Sequence, residues 1–141
     1  MGQQQLLLII LGVIVVGIAV VVGITMFQDN AISANRDAVT NDLVNLGARA
    51  QQFYRRPCAL GGGQGDFTGS PCTPPNPLTM GKLAGPVSGT SWTNPNGSYT
   101  LGTLAAQSVE IIGTGTEKSG GNPVKVTCTV SDTSLTTHVD N

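Results

Sequence analysis

An apolar run lies near the N-terminus of the chain. Leu6 to Phe27 are 22 consecutive uncharged positions, and Thr25 is their one polar side chain. A helix formed by this run is hydrophobic on every side, which is not the pattern of a surface helix of a soluble domain. It rises about 33 Å, enough to cross the hydrocarbon core of a bilayer. The pattern therefore predicts a membrane-spanning helix over residues 1–27.

A cleaved signal peptide is the alternative interpretation of this run. Such a peptide has a basic residue ahead of an apolar core of about 7–15 residues, and an A-x-A-like cleavage site after it. No Lys or Arg precedes Leu6, the run is longer, and no such site follows Phe27. We therefore expect an anchor. Because Asp29 precedes the first basic residue, Arg36, the part after the anchor is expected to face outward.

After the apolar run the pattern becomes that of an amphipathic helix. Residues 28–54 contain no proline, and their apolar positions repeat at the three- and four-residue spacing of one helical stripe. Pro57 predicts the end of this helix, directly after Arg55 and Arg56. The two segments together predict one continuous helix of about 50 residues, about 75 Å long. The stripe consists of Ile32, Val39, Leu43, Leu46, Ala50 and Phe53.

The remainder of the sequence predicts loops and then an antiparallel sheet. Seven of the eight prolines lie within 57–97, which excludes long regular elements there. Asn96-Gly97 predicts a hairpin turn and Gly120-Gly121-Asn122 a second turn. Apolar and polar residues alternate over 124–130, the pattern of a half-buried strand. We expect a meander of about four strands.

One apolar face of this sheet must be covered, and the helical stripe is the expected cover. The predicted fold class is therefore α+β, with a long helix packed on a small antiparallel sheet. The expected division of the chain is a hydrophobic helix (1–27), its amphipathic continuation (28–56) and a head of loops and sheet (57–141).

Composition narrows the function classes. Charged residues are 11% of the chain and the net charge is −1, so no basic surplus exists to neutralise phosphates, and nucleic acid is not an expected partner. His138 is the single histidine, with Asp140 close by, and is expected to be solvated. The sequence contains no metal-ligand, phosphate-loop or haem-attachment motif. We expect no enzymatic activity, no cofactor and no metal site.

The three cysteines allow more than one pairing. An exported chain is expected to oxidise two of them. A bond between Cys58 and Cys72 closes a loop of about 15 residues, worth roughly 3 kcal/mol in the chain-entropy model. It leaves Cys128 as a buried thiol on the inward face of a strand. A bond from Cys128 to either of the others is the alternative, and we favour the first pairing.

The layout and the end of the apolar run resemble those of a type IV pilin or pseudopilin. The closest match is Gly23-Ile24-Thr25-Met26-Phe27-Gln28-Asp29-Asn30, which is similar to the family's exit from the membrane segment. The glutamate that the family carries in its apolar segment is absent here, and Gln5 or Leu7 stands at the corresponding position. The resemblance implies filament assembly through the helix. The residues expected in the filament core are Gln5, Leu8, Leu11, Ile14, Ile18, Val22 and Phe27.

The resemblance implies a structural subunit of an extracellular pilus-like filament. Its expected partners are copies of itself, the inner (cytoplasmic) membrane before assembly, and a pilus or secretion assembly machinery. Two alternatives stay open. One is a secretion pseudopilin or minor pilin, and the other is a monomeric single-span membrane protein with an exported binding domain.

Two further features of the head have competing interpretations. Asn96-Gly97-Ser98 fits the N-glycosylation pattern, but the same Asn-Gly pair is fully explained as a turn. Phe67, Trp92 and Tyr99 could be exposed for adhesion, and we expect core packing instead.

Overall fold

A long helix packs on one face of an antiparallel sheet in the computed structural model, which describes residues 1–87 and 90–140. Helix α1 spans Gly2–Arg55, and the short helix α2 spans Met80–Ala84. The described residues form five strands, and their order in the sheet is their order in the sequence. The predicted α+β fold class is confirmed, and the layout is consistent with a pilin-like fold. The strands are β1 (Ser91–Asn94), β2 (Gly97–Leu104), β3 (Ser108–Ser119), β4 (Asn122–Ser131) and β5 (Leu135–Val139).

Helix α1 is continuous across the boundary between its apolar and amphipathic segments. It contains 54 residues, so it is about 80 Å long. It ends at Arg55, two residues before Pro57, as the sequence predicts. Contact with the head begins at Ile32, which is half-buried, and becomes complete at Val39. About the first 30 residues of the helix therefore extend beyond the head.

The predicted helical stripe covers the sheet. Val39, Leu43 and Ala50 are fully buried, and they share one core with the inward side chains of the sheet. Glycines permit this close approach, since a Cβ atom on Gly113 would lie 2.7 Å from Val39 Cγ1. The inward side chains of the sheet are Tyr99, Val109, Ile111, Val124, Val126, Cys128 and Val130.

The sheet differs from the prediction in its number of strands, and its first hairpin differs in the position of the turn. The described residues form five strands where about four were expected, and the short β1 pairs along its whole length with β2. Asn94 pairs with Gly97, so the turn residues are Pro95 and Asn96, one position earlier than predicted. The Asn94 side chain fixes this turn by accepting hydrogen bonds from the backbone N–H groups of Asn96 and Gly97 at 2.9 and 3.0 Å. Gly97 is needed within the strand, since a Cβ atom there would lie 2.3 Å from the Thr114 carbonyl oxygen.

The loop region after α1 is held to the core at several points. The predicted Cys58–Cys72 disulfide is present, and Cys128 is a buried free thiol. Phe67 is fully buried, with its backbone N–H donating to Ala106 O at 3.0 Å. The prediction of core packing is therefore confirmed for Phe67, and it also holds for Tyr99, which is fully buried.

Candidate assembly surface

The apolar half of α1 has no cover within the described chain. This helix is long and apolar enough to cross a membrane, and none of its most apolar 18-residue window is buried. Seventeen large hydrophobic side chains between Leu6 and Phe27 are exposed. Burying such a set is worth on the order of 20 kcal/mol, which exceeds the stability of about 5–15 kcal/mol of a whole domain. This surface therefore requires lipid or other apolar helices around it.

The residues predicted for the filament core all lie on this uncovered segment. Leu8, Leu11, Ile14, Ile18, Val22 and Phe27 are between 47% and 80% exposed, and Gln5 is exposed as well. At about 100° per residue they are spread over more than half of the helix circumference. They form a surface that several neighbouring helices can contact at once, and not a single stripe for one partner.

Between Leu6 and Phe27, the one polar side chain is satisfied within the helix. The Thr25 hydroxyl donates to Val22 O at 2.9 Å. Beyond the first turn of α1, whose N–H groups have no acceptor within a helix, the backbone amides and carbonyls are paired internally, which is the condition for entering lipid or a dry helix bundle. At Gly12, Gly17 and Gly23 a Cβ atom would have no neighbour within 4 Å, so no packing within the described chain requires glycine at these positions.

Asp42 clamps the amphipathic half of α1 to the first hairpin. Its Oδ2 atom accepts hydrogen bonds from the Tyr99 hydroxyl at 2.6 Å and from the side-chain amides of Asn94 and Asn96, each at 2.8 Å. Burial alone would raise the pKa of Asp42, but these three hydrogen bonds outweigh it and hold the pKa below its usual value. Burial, followed by the hydrogen bond and the negative charge of Asp42, raises the pKa of Tyr99.

A second clamp lies closer to the uncovered segment. The Asn35 side-chain amide donates to Asn96 O at 2.8 Å, and Asn35 Oδ1 accepts from the Glu117 backbone N–H at 3.3 Å. Gly115 makes room for it, since a Cβ atom there would lie 2.1 Å from Asn35 Oδ1. Together the two clamps connect the helix to the sheet where the helix leaves the head.

The candidate glycosylation site takes part in the first clamp. The Asn96 side-chain nitrogen, the atom that a glycan would modify, donates to Asp42. Glycosylation at Asn96 stays a prediction, and it would leave this nitrogen a single N–H with which to keep the hydrogen bond to Asp42.

The structure also places two further polar side chains, the predicted solvated His138 and Asp66. The His138 side chain is 82% exposed, with Nε2 3.8 Å from Asp140 Oδ1. Asp66 Oδ1 accepts from the Thr68 backbone N–H at 2.6 Å, which is a local turn. In residues 1–87 and 90–140, no three His, Cys, Asp or Glu side chains are grouped closely enough to hold a metal ion.

Sequence reasoning missed the clamps, although a signal for one existed. Asn35 and Asp42 are seven residues apart, so they lie on one side of the helix, next to the apolar stripe. In the sequence, Asn96 indicates a turn or a glycosylation site, and neither interpretation predicts a contact with the helix. Such a contact, across more than 50 residues, depends on how the helix and sheet dock, which periodicity does not encode.

Comparisons of the chain with protein-family models, with curated proteins and with solved structures gave no match. The resemblance to type IV pilins therefore stays a prediction drawn from the residues and the layout.

Proposed function

We propose that the chain is a structural subunit of an extracellular type IV pilus-like filament, which polymerises through the apolar half of α1. The observation that carries the proposal is one uninterrupted helix. Its C-terminal half packs on the sheet, and its N-terminal half is not covered by any other part of the described chain. Such a helix presents the same apolar surface to lipid and to a bundle of identical helices. A subunit can therefore leave the membrane for a filament without exposing this surface to water.

In this proposal the subunit is held in the inner membrane before assembly, with the head on the outer side. The run of 22 residues is long enough to span the bilayer once. Lipid chains are as apolar as the helix, so the gain on assembly comes from packing and hydrogen bonds between helices. In the filament the apolar helices form the core and the heads form the outer layer.

The proposal is tested on fibres sheared from producing cells. Electron microscopy of the sheared fraction, with peptide mass spectrometry of the same fraction, should find uniform fibres dominated by this chain. Short fibres in which the chain is a minor component would favour the secretion pseudopilin. A chain that stays in the membrane fraction and dissolves in detergent as monomers would contradict the proposal and favour the anchored binding domain.

Gln5 provides a more specific test of the packing. In a core of parallel helices, the neutral amide of Gln5 can form hydrogen bonds with a neighbouring copy. A charged group at the same position would need a partner of opposite charge. Gln5→Ala should lower the yield of sheared fibres while the amount of chain in the membrane stays the same. Thr133→Ala, at an exposed turn of the head, is the control. An unaltered fibre yield in Gln5→Ala would remove the assembly role of this side chain.

A further inference from the structure

A basic cleft lies between the C-terminal end of α1 and helix α2. Its volume is about 460 Å³. Three of the seven Lys and Arg side chains of the protein line it: Arg49 and Arg56 at the end of α1, and Lys82 on α2. None of the lining residues in the described chain is acidic. Since the protein has a net charge of −1, this concentration of positive charge is local.

Neutral oxygen atoms hold two of these cations in place. Arg49 Nη1 donates to the Leu83 carbonyl oxygen at 2.7 Å. Lys82 Nζ donates to Asn76 Oδ1 and to the Pro77 carbonyl oxygen, and it lies 5.2 Å from the centre of the Phe53 ring. Both groups are therefore positioned without losing their charge to a carboxylate. Burial lowers the pKa of Lys82, as expected for an ammonium group with uncompensated charge.

The third cation, Arg56, leaves its donors available to a ligand. Within residues 1–87 and 90–140 its guanidinium group has no hydrogen bond or ion pair. Arg49 lies near the end of α1 and Arg56 directly follows the helix, and both line the same cleft. The carbonyl groups at the end of α1 are already hydrogen-bonded, since Phe53 O accepts from Gly63 N at 2.9 Å and Tyr54 O from Gly65 N at 2.7 Å. The three cations therefore set the charge of the cleft.

We propose that this cleft binds the oxyanion group, a carboxylate or a sulfate, of a small molecule up to the size of a sugar acid. A guanidinium group offers paired N–H donors that match a carboxylate or sulfate, and an ammonium group adds a point charge beside them. The volume lies within the range of about 300–1,000 Å³ that is usual for small-ligand sites. The lining Gln52 supplies a neutral amide next to the cations. The site lies between the amphipathic half of α1 and the head, and it does not depend on the proposed assembly.

The test is a calorimetric titration of the full chain in uncharged detergent micelles. Sodium D-glucuronate and sodium sulfate are the probes, and D-glucose is the neutral control. Both anions should bind saturably and glucose should not bind. Arg56→Gln should weaken anion binding about tenfold, the effect of losing a charge-assisted hydrogen bond. Arg55→Gln removes the same charge from the neighbouring position, which does not line the cleft, and should leave the affinity unchanged.

Arg49→Gln provides a second variant, checked for folding by its circular dichroism spectrum because Arg49 also holds α2. A folded Arg49→Gln chain should bind both anions more weakly than the wild type. The proposal is overturned if neither anion binds saturably, or if glucose binds as well as glucuronate. It is also overturned if Arg55→Gln loses as much affinity as Arg56→Gln, because the attraction would then follow net charge and not the cleft.

Discussion

Replacing Asp42 by alanine removes the acceptor that three side chains of the first hairpin share. Tyr99 is fully buried, so its hydroxyl would be left without an acceptor in a place that water does not reach easily. A hydrogen bond to a charged group contributes about 1.5–3 kcal/mol, and an unpaired buried donor costs about 1–3 kcal/mol. Asp42 is half-buried, and the side-chain amides of Asn94 and Asn96 are also half-buried, so water can replace the lost acceptor for both. We therefore expect Asp42→Ala to lower the free energy of unfolding by about 3 kcal/mol, and not by the sum of three bonds.

A double-mutant cycle with Tyr99→Phe isolates the central hydrogen bond. Tyr99→Phe removes the donor and should cost about 1–2 kcal/mol. In the double variant no hydroxyl is left unpaired, so its loss should be smaller than the sum of the single losses by about 1–2 kcal/mol. Asp37→Ala is the matched control, because Asp37 is exposed on the same helix and makes no side-chain hydrogen bond within the described chain.

The assay is denaturant unfolding of the full chain in uncharged detergent micelles, followed by tryptophan fluorescence. Trp92 is the single tryptophan, and its ring centre lies 5.2 Å from that of Tyr99, so it reports on this hairpin. Strictly additive losses in the cycle, or an Asp42→Ala variant as stable as Asp37→Ala, would show that Asp42 does not hold the hairpin to the helix.

Three further predictions use the same assay. The lowered pKa of Asp42 means that its contribution to stability is complete above its usual value of 3.8 and is lost as the pH falls through the lower folded value. Acidification should therefore destabilise the wild type more than Asp42→Asn, and equal losses would contradict this. Reducing the disulfide should lower the free energy of unfolding by about 3 kcal/mol, and an unchanged midpoint would contradict the loop-closure argument. Gly113→Ala places a methyl group 2.7 Å from Val39 and should cost about 1–3 kcal/mol, whereas Gly12→Ala, which meets nothing within 4 Å, should leave the head as stable as before.

The local elements could be predicted from the sequence because their signals are local. The apolar stripe predicted which face of α1 covers the sheet, and Pro57 predicted where the helix ends. The two glycines Gly120 and Gly121 predicted the turn between β3 and β4, and both adopt positive φ angles there, +59° and +89°. The spacing of Cys58 and Cys72 favoured the pairing that the structure has.

Long-range polar contacts could not be predicted in this way. Asp42 contacts the first hairpin only after the helix and the sheet have docked. The spacing of apolar residues along the sequence does not encode this contact. The basic cleft could not be predicted from the sequence for the same reason. Arg49 and Arg56 lie near the end of α1, but Lys82 comes from a proline-rich stretch where the sequence predicted only loop. The short helix α2 forms there because Met80 and Leu83 are buried against the core, which is a tertiary effect.

The central claim is that the apolar half of α1 is an assembly surface between copies of this chain. A three-dimensional reconstruction of sheared fibres by electron cryomicroscopy tests it most directly. We expect rods of helical density at the fibre axis, contributed by residues 2–27 of many copies, with the sheets forming the outer layer. Fibres with sheet density at the axis would contradict the account. So would fibres in which this segment lies on the surface.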